Sequence, residues 1–203
     1  MVRKNRVISV IVIALLMFTA CSKSGGSSGS SGDGGEKLTG PTVRFTFTVL
    51  DDGAAYSVGA GTATEGAVNI PAFYRPDAKS DYLPVTAIAG TAFSGCAGLT
   101  GITLPAGITE IGFGAFAFCA GLNSITIPEG VTKIGGDAFT YCTGITRVTI
   151  PASVTSVGAA AFMGWIAGQT ITIQGKANDE AAIAAGWDEW WDYFCDAAIV
   201  YDK

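Results

Sequence analysis

From Phe93 onward, apolar positions along this chain return every twenty-three residues. Leu99, Leu122 and Ile145 keep that interval, and so do Phe93, Phe116, Phe139 and Phe162, each preceded by alanine. Within each unit a short stretch alternates: Ile125-Thr126-Ile127 and Val148-Thr149-Ile150 read apolar, polar, apolar. Alternation of period two predicts a short strand with one buried face. Pro105, Pro128 and Pro151 stand after these stretches and end them, because proline has no N–H to give to a ladder. A second extended piece follows, as in Val131-Thr132-Lys133-Ile134, and a Gly-rich link then leads to Ala138-Phe139, where a turn or short helix plugs the interior. One such unit cannot bury its own apolar side. A stack of units can, with strands about 4.8 Å apart.

The predicted architecture is therefore a β-rich repeat solenoid of about four 23-residue units over residues 67–175. Val68-Asn69-Ile70-Pro71 supplies the strand of a first unit stretched by an insertion. A solenoid needs covered ends. Val43, Phe45, Phe47 and Val49 alternate ahead of an Asp52-Gly53 turn, which predicts a β-hairpin cap over 41–66. At the other end, Trp187, Trp190, Trp191 and Phe194 are spaced i, i+3, i+4, i+7, one stripe of a helix, with Asp188, Glu189 and Asp192 on the other side. With Ile199-Val200-Tyr201 as a closing strand, residues 176–203 read as a helix/strand cap. A second reading stays open: an exposed cluster of Trp187, Trp190 and Trp191 would stack on sugars and form a glycan site.

The N-terminus changes the picture from fold to address. The basic "MVRKNR" precedes an apolar run of fourteen, "VISVIVIALLMFTA". A bilayer-spanning helix needs about 20 residues, so the run reads as a secretory signal over 1–20. Phe18-Thr19-Ala20-Cys21 resembles a bacterial lipobox, with Phe18 where leucine is usual. The resemblance implies lipidation of Cys21 and a membrane-anchored lipoprotein of the cell envelope, at the cell surface or outer membrane. Residues 21–40 are dominated by Gly and Ser and read as a flexible tether.

Composition then excludes several chemistries. The formal charge is −5, and the signal segment holds Arg3, Lys4 and Arg6 but no acid, so the mature chain is more acidic still. That balance argues against nucleic acid. The chain has no histidine, which removes His-based triads and the commonest zinc sites. No nucleophile has a base beside it and no Gly-rich loop leads from a strand into a phosphate-binding helix. We expect no enzyme activity, no cofactor, no metal and a monomer.

Cys96, Cys119 and Cys142 repeat with the same interval, and the next step falls on Trp165. Equal positions in a stack become a column, so these cysteines read as buried structural thiols packing as small hydrophobes. Cys195 falls outside the register, and a bond between it and Cys142 stays open. Thr103, Thr126, Thr149 and Thr172 form an outward column on the first sheet; Thr86, Thr109, Thr132 and Thr155 form one on the second. Arg147 is a lone charge beside Thr149, and Glu110 stands one rung from Lys133. The candidate binding surface is Thr103, Thr126, Arg147, Thr149, Thr172 and Lys133.

The segments "AFSGCAGLTGITLPAGITEIG", "AFAFCAGLNSITIPEGVTKIG" and "AFTYCTGITRVTIPASVTSVG" resemble the bacterial BspA-type leucine-rich repeat family, and the resemblance covers residues 82–173. It implies a right-handed leucine-rich-repeat superhelix, and a surface lipoprotein that adheres to other cells or to host matrix proteins. The repeat motif itself is nearly silent on ligand. A purely structural envelope protein is a further alternative.

Overall fold

The computed structural model describes residues 37–39, 45–50 and 53–202. Residues 1–20, expected as a signal segment, Cys21, expected to be lipidated, and Val43 and Asp52 lie outside the described residues. The strands are β1 (Lys37–Thr39), β2 (Thr46–Val49), β3 (Tyr56–Gly59), β4 (Glu65–Asn69), β5 (Phe73–Arg75), β6 (Leu83–Ile88) and β7 (Gly98–Thr103). They continue with β8 (Glu110–Ile111), β9 (Lys133–Ile134), β10 (Arg147–Ile150), β11 (Ser156–Val157), β12 (Thr170–Gln174) and β13 (Ala198–Asp202). Among the described residues one helix, α1 (Asp179–Ala184), interrupts them.

The coils stack with equal positions side by side. On the first side β4 pairs in parallel with β7, a single bridge joins Ile102 to Ile125, and β10, β12 and β13 form a parallel sheet. The strand expected at Ile125-Thr126-Ile127 thus narrows to that bridge, although its burial alternates as the pattern predicts. On the second side β6, β8, β9 and β11 pair in parallel, with Ile88, Ile111, Ile134 and Val157 in register and buried. Backbone bonds also join the turns that close each coil: Phe93 N–H donates to Ala115 O, Phe116 N–H to Ala138 O and Phe139 N–H to Ala161 O. Successive coils are thus joined by backbone bonds along the second side and at the turns, and on the first side within β4–β7 and within β10–β12–β13.

The core is a set of columns. Phe93, Phe116, Phe139 and Phe162 are fully buried and stack with ring centroids 5.4, 5.5 and 5.5 Å apart. Such pairs contribute about 0.5–1.5 kcal/mol beyond their buried area. The coils approach so closely that a Cβ on Gly135 would lie 2.5 Å from Phe113 N. Only glycine allows that approach.

The ends differ from expectation in three ways. At the N-terminal end β2 and β3 form the expected antiparallel hairpin, and β3 docks in parallel on β6. Lys37–Thr39, which composition assigns to the tether, pairs its backbone with β5. Backbone pairing needs no apolar side chains, so composition could not signal it. At the C-terminal end the tryptophan stripe does not sit on a helix. The helix lies upstream, where Asn178 caps Ala181 N–H through Oδ1 at 2.9 Å and Asp179 and Glu180 occupy the first turn. Residues 187–195 instead form turns that repeat those of the coils. Asp188 N–H donates to Val157 O as Gly158 N–H donates to Ile134 O, and Cys195 N–H donates to Asp192 O as Trp165 N–H does to Phe162 O. Cys195 is therefore in the structural register, displaced in sequence by the inserted helix. The i, i+3, i+4 spacing arises because a turn of this coil also returns to the interior after three or four residues.

Candidate binding surface

The register sets out the first outward face. Asn69, Thr103, Thr126, Thr149, Thr172 and Val200 hold equal places in successive coils: Asn69 pairs with Thr103, Thr149 with Thr172 and Thr172 with Val200, and Thr126 follows Ile125, which bridges to Ile102. Thr103, Thr126, Thr149 and Arg147 are exposed. Thr172 is half-buried on β12, which lies between β10 and β13.

The second face is built differently. The hydroxyl of Thr109 donates to Thr86 O at 3.2 Å, that of Thr132 to Thr109 O at 3.2 Å, and that of Thr155 to Thr132 O at 3.3 Å. This threonine row ties successive coils together. Lys133, expected on the binding surface, pairs through Nζ with Glu110 Oε1 at 2.8 Å, and both side chains are largely exposed. A pair this wet contributes little to stability. The structure thus brings Thr103, Thr126, Arg147 and Thr149 together on one face and places Lys133 on another.

The cysteine column has hydrogen-bonding content that spacing alone does not disclose. Cys119 Sγ donates to Phe93 O at 3.0 Å and Cys142 Sγ to Phe116 O at 3.0 Å. Trp165 holds the next place and its Nε1 donates to Phe139 O at 2.8 Å. The four described cysteines are buried thiols. Burial pushes the Cys142 thiol up to about 12, so it stays protonated at neutral pH.

The alternative glycan site is not assembled as a platform. Trp187 and Trp191 are 3 % and 1 % exposed, and only Trp190 is half-buried. Trp191 meets Phe162 edge-on at 6.0 Å and closes the phenylalanine stack. Trp187 Nε1 and Lys176 Nζ both donate to Val154 O, at 3.3 and 2.9 Å. Burial holds the Lys176 ammonium below its ordinary range, and the Trp187 ring lies 5.2 Å from it. Gln169, also buried, donates through Nε2 to Cys142 O and accepts Ile166 N–H through Oε1. Sequence reasoning misses Lys176 and Gln169, because nothing in a polar residue's type says that it serves the end of a stack.

Sequence reasoning also misses a third side. Phe118 and Tyr141 precede Cys119 and Cys142, at a place held by glycine in Gly95 and Gly164. Their rings stack at 5.3 Å on the outside of the turns. The alternation of glycine with large aromatics at one column is the available signal. Half-buried Asp137, on the same turn as Tyr141, accepts from Thr140 Oγ1 at 3.1 Å, and burial raises its carboxyl above the usual range. Among the described residues no group of three or more His, Cys, Asp or Glu side chains is placed to hold a metal ion. No helix among them is long and apolar enough to cross a membrane.

Comparison with solved structures finds the same fold in three bacterial proteins. A leucine-rich repeat protein from Bacteroides capillosus is 24 % identical, with a TM-score of 0.53, covering 79 % of this chain and 95 % of its own. The T. pallidum leucine-rich repeat protein is 22 % identical, with a TM-score of 0.51, covering 65 % and 70 %. A leucine-rich cell surface protein from Faecalibacterium prausnitzii is 26 % identical, with a TM-score of 0.52, over 64 % of this chain and 43 % of that one. This chain thus spans less than half of the Faecalibacterium protein. Comparison with curated proteins gives no match. The model of the BspA type leucine-rich repeat region matches six copies over residues 68–180, more than half of the chain. The chain belongs to the BspA-type leucine-rich repeat family.

Proposed function

We propose that this protein is a lipid-anchored component of the cell envelope whose repeat domain binds protein partners, on other cells or in the host matrix, through its first outward face. The observation that carries the reading is the contrast between the two threonine rows. On the second face the Thr109, Thr132 and Thr155 hydroxyls are already held by the preceding coil. On the first, Thr103, Thr126 and Thr149 stand exposed at equal places of successive coils, with exposed Arg147 on the same strand as Thr149. Such a face is polar and regularly spaced, and a repeat surface of this kind suits extended contacts with another protein. Affinity per molecule would be modest and would rise through many copies held on one membrane.

The anchor part of the reading rests on the signal segment and on the Phe18-Thr19-Ala20-Cys21 sequence. Its surface location is supported by likeness to the Faecalibacterium protein, which is described as a cell surface protein. Detergent phase separation of cells making the Cys21→Ala chain tests the anchor, and protease treatment of intact cells tests the side of the membrane. We expect the wild-type chain in the detergent phase and open to protease, and the variant released or left uncut. A variant that partitions like wild type would rule out lipidation at Cys21.

A further inference from the structure

We infer that the partner of the first outward face is a protein that presents a single aspartate or glutamate carboxylate to Arg147, so that Arg147 selects the partner and the threonines around it support the contact. The inference rests on the reading of this face as a protein-binding surface and names the chemistry it takes. Arg147 is the one large side chain in its row. Ala67 pairs with Gly101, and Ser124 precedes Ile125 as Gly101 precedes its bridge partner Ile102. Arg147 follows at the same place one coil on; it pairs with Thr170, and Thr170 pairs with Ala198. The Arg147 side chain is exposed, and so are Ser124 in the coil before it and Thr149 two residues along its own strand.

No carboxylate of the protein answers this charge. The strands of the first side, together with residues 123–127, carry one base, Arg147, and two acids, Glu65 and Asp202. Both acids lie at corners of the face. The register puts Asp202 two strands across and four residues along from Arg147, and Glu65 three coils across and two residues along. With strands about 4.8 Å apart and a rise of about 3.3 Å per residue, each is about 16 Å away. That is about twice the screening length at physiological salt. Among the described residues no ion pair holds Arg147, whereas Lys133 on the second face is taken by Glu110 at 2.8 Å.

The number of charges chooses the partner. A guanidinium is a planar fork that holds a carboxylate through two parallel hydrogen bonds. The hydroxyls of Ser124, Thr149 and Thr170 stand around it and can donate to the same carboxylate or accept from amides beside it. A polyanion such as a sulfated glycan needs a run of cations. This face offers one, on a chain whose formal charge is −5, so a dense negative charge is repelled by the rest of the molecule. One carboxylate on an otherwise neutral, polar protein surface is what the face complements.

The test measures binding of the full chain in detergent to an immobilised basement-membrane extract, untreated and with its carboxylates converted to neutral amides. Arg147→Gln should melt like wild type and bind the untreated extract about three- to thirty-fold more weakly. Arg147→Lys, which keeps the charge and loses the fork, should fall between the two. Amidation should lower wild-type binding to the level of Arg147→Gln and leave Arg147→Gln itself unchanged, the non-additivity expected when both changes remove one contact. Thr126→Glu with Thr149→Glu separates this inference from the reading beneath it. If that variant loses binding while Arg147→Gln binds like wild type, the face reading stands and the carboxylate inference is overturned. Additive losses from Arg147→Gln and amidation overturn it too, as does binding abolished by enzymatic removal of sulfated glycans from the extract. If wild type does not bind, or all variants bind alike, the face reading falls and this inference with it.

Discussion

The Sγ of Cys119 donates a hydrogen bond to the carbonyl oxygen of Phe93, 3.0 Å away and one coil earlier. That oxygen already accepts the N–H of Cys96 at 3.1 Å, within its own turn. The carbonyl therefore uses both lone pairs, one inside its coil and one across to the next. Cys142 and Trp165 repeat the relationship with Phe116 and Phe139. A thiol and an indole share one column because both place an N–H or S–H donor at the end of an otherwise apolar side chain. The column is thus a row of buried donors that lock coil to coil.

This sets the order of substitutions at Cys119. On size alone, alanine should be tolerated better than serine, whose hydroxyl would lack a partner. With Phe93 O within reach, serine keeps the donor and alanine loses it. Cys119→Ser should be more stable than Cys119→Ala by about 0.5–1.5 kcal/mol, the net value of a buried hydrogen bond. Urea denaturation of both variants gives the sign directly.

The raised thiol at Cys142 predicts an alkaline signature. In the folded chain the neutral thiol is favoured up to about 12, against 9.0 for an ordinary thiol. The unfolded chain loses its proton first, so the contribution of this thiol is whole below pH 9 and falls as pH rises toward 12. The stability gap between wild type and Cys142→Ala should be constant from pH 7 to about 9 and then narrow. Tyrosine and lysine titrations are common to both proteins and cancel in the difference. Denaturant midpoints measured across that range check it.

Two interior changes should act on folding ahead of binding. Phe139→Ala opens the middle of the ring stack and should cost about 3–5 kcal/mol, as aromatic core truncations do. Gly135→Ala places a Cβ 2.5 Å from Phe113 N, and the strands must part to admit it. It should cost at least about 1–3 kcal/mol, the usual range for overpacking. Thermal melts of the two variants test both values.

The periodic part of this fold is legible in the amino-acid sequence. Phe116, Phe139, Cys119 and Cys142 recur at one interval, and a recurring apolar residue in a stack has few places to go but inward. The ends are less legible. Trp187, Trp190 and Trp191 have helical spacing, yet a tight coil turn gives that spacing as well, and the helix itself lies at Asp179–Ala184. Cys195 looks out of register because an inserted helix lengthens its coil. The candidate face is half legible: Thr126 and Thr109 look alike in sequence, and only the structure separates the threonine whose hydroxyl is held from the one whose side chain stands on open surface.

The same distinction divides the tryptophans. Trp191→Ala removes a buried ring that closes the phenylalanine stack and should cost about 3–5 kcal/mol. Trp190→Ala, on a half-buried ring whose Nε1 meets Glu189 at 3.0 Å, should cost far less. Acrylamide quenching should accordingly report one accessible tryptophan class that vanishes in Trp190→Ala.

The central claim is that the first outward face, and not the interior, holds the partner. It is tested most directly by binding of the wild-type chain and the variant carrying Thr126→Glu, Arg147→Glu and Thr149→Glu to immobilised host matrix proteins, with melting measured alongside. All three residues are exposed, so melting should be unchanged. The account predicts that wild type binds and that the variant binds at least about ten-fold more weakly, equivalent to about 1.4 kcal/mol. A variant that melts like wild type and binds as before would contradict it.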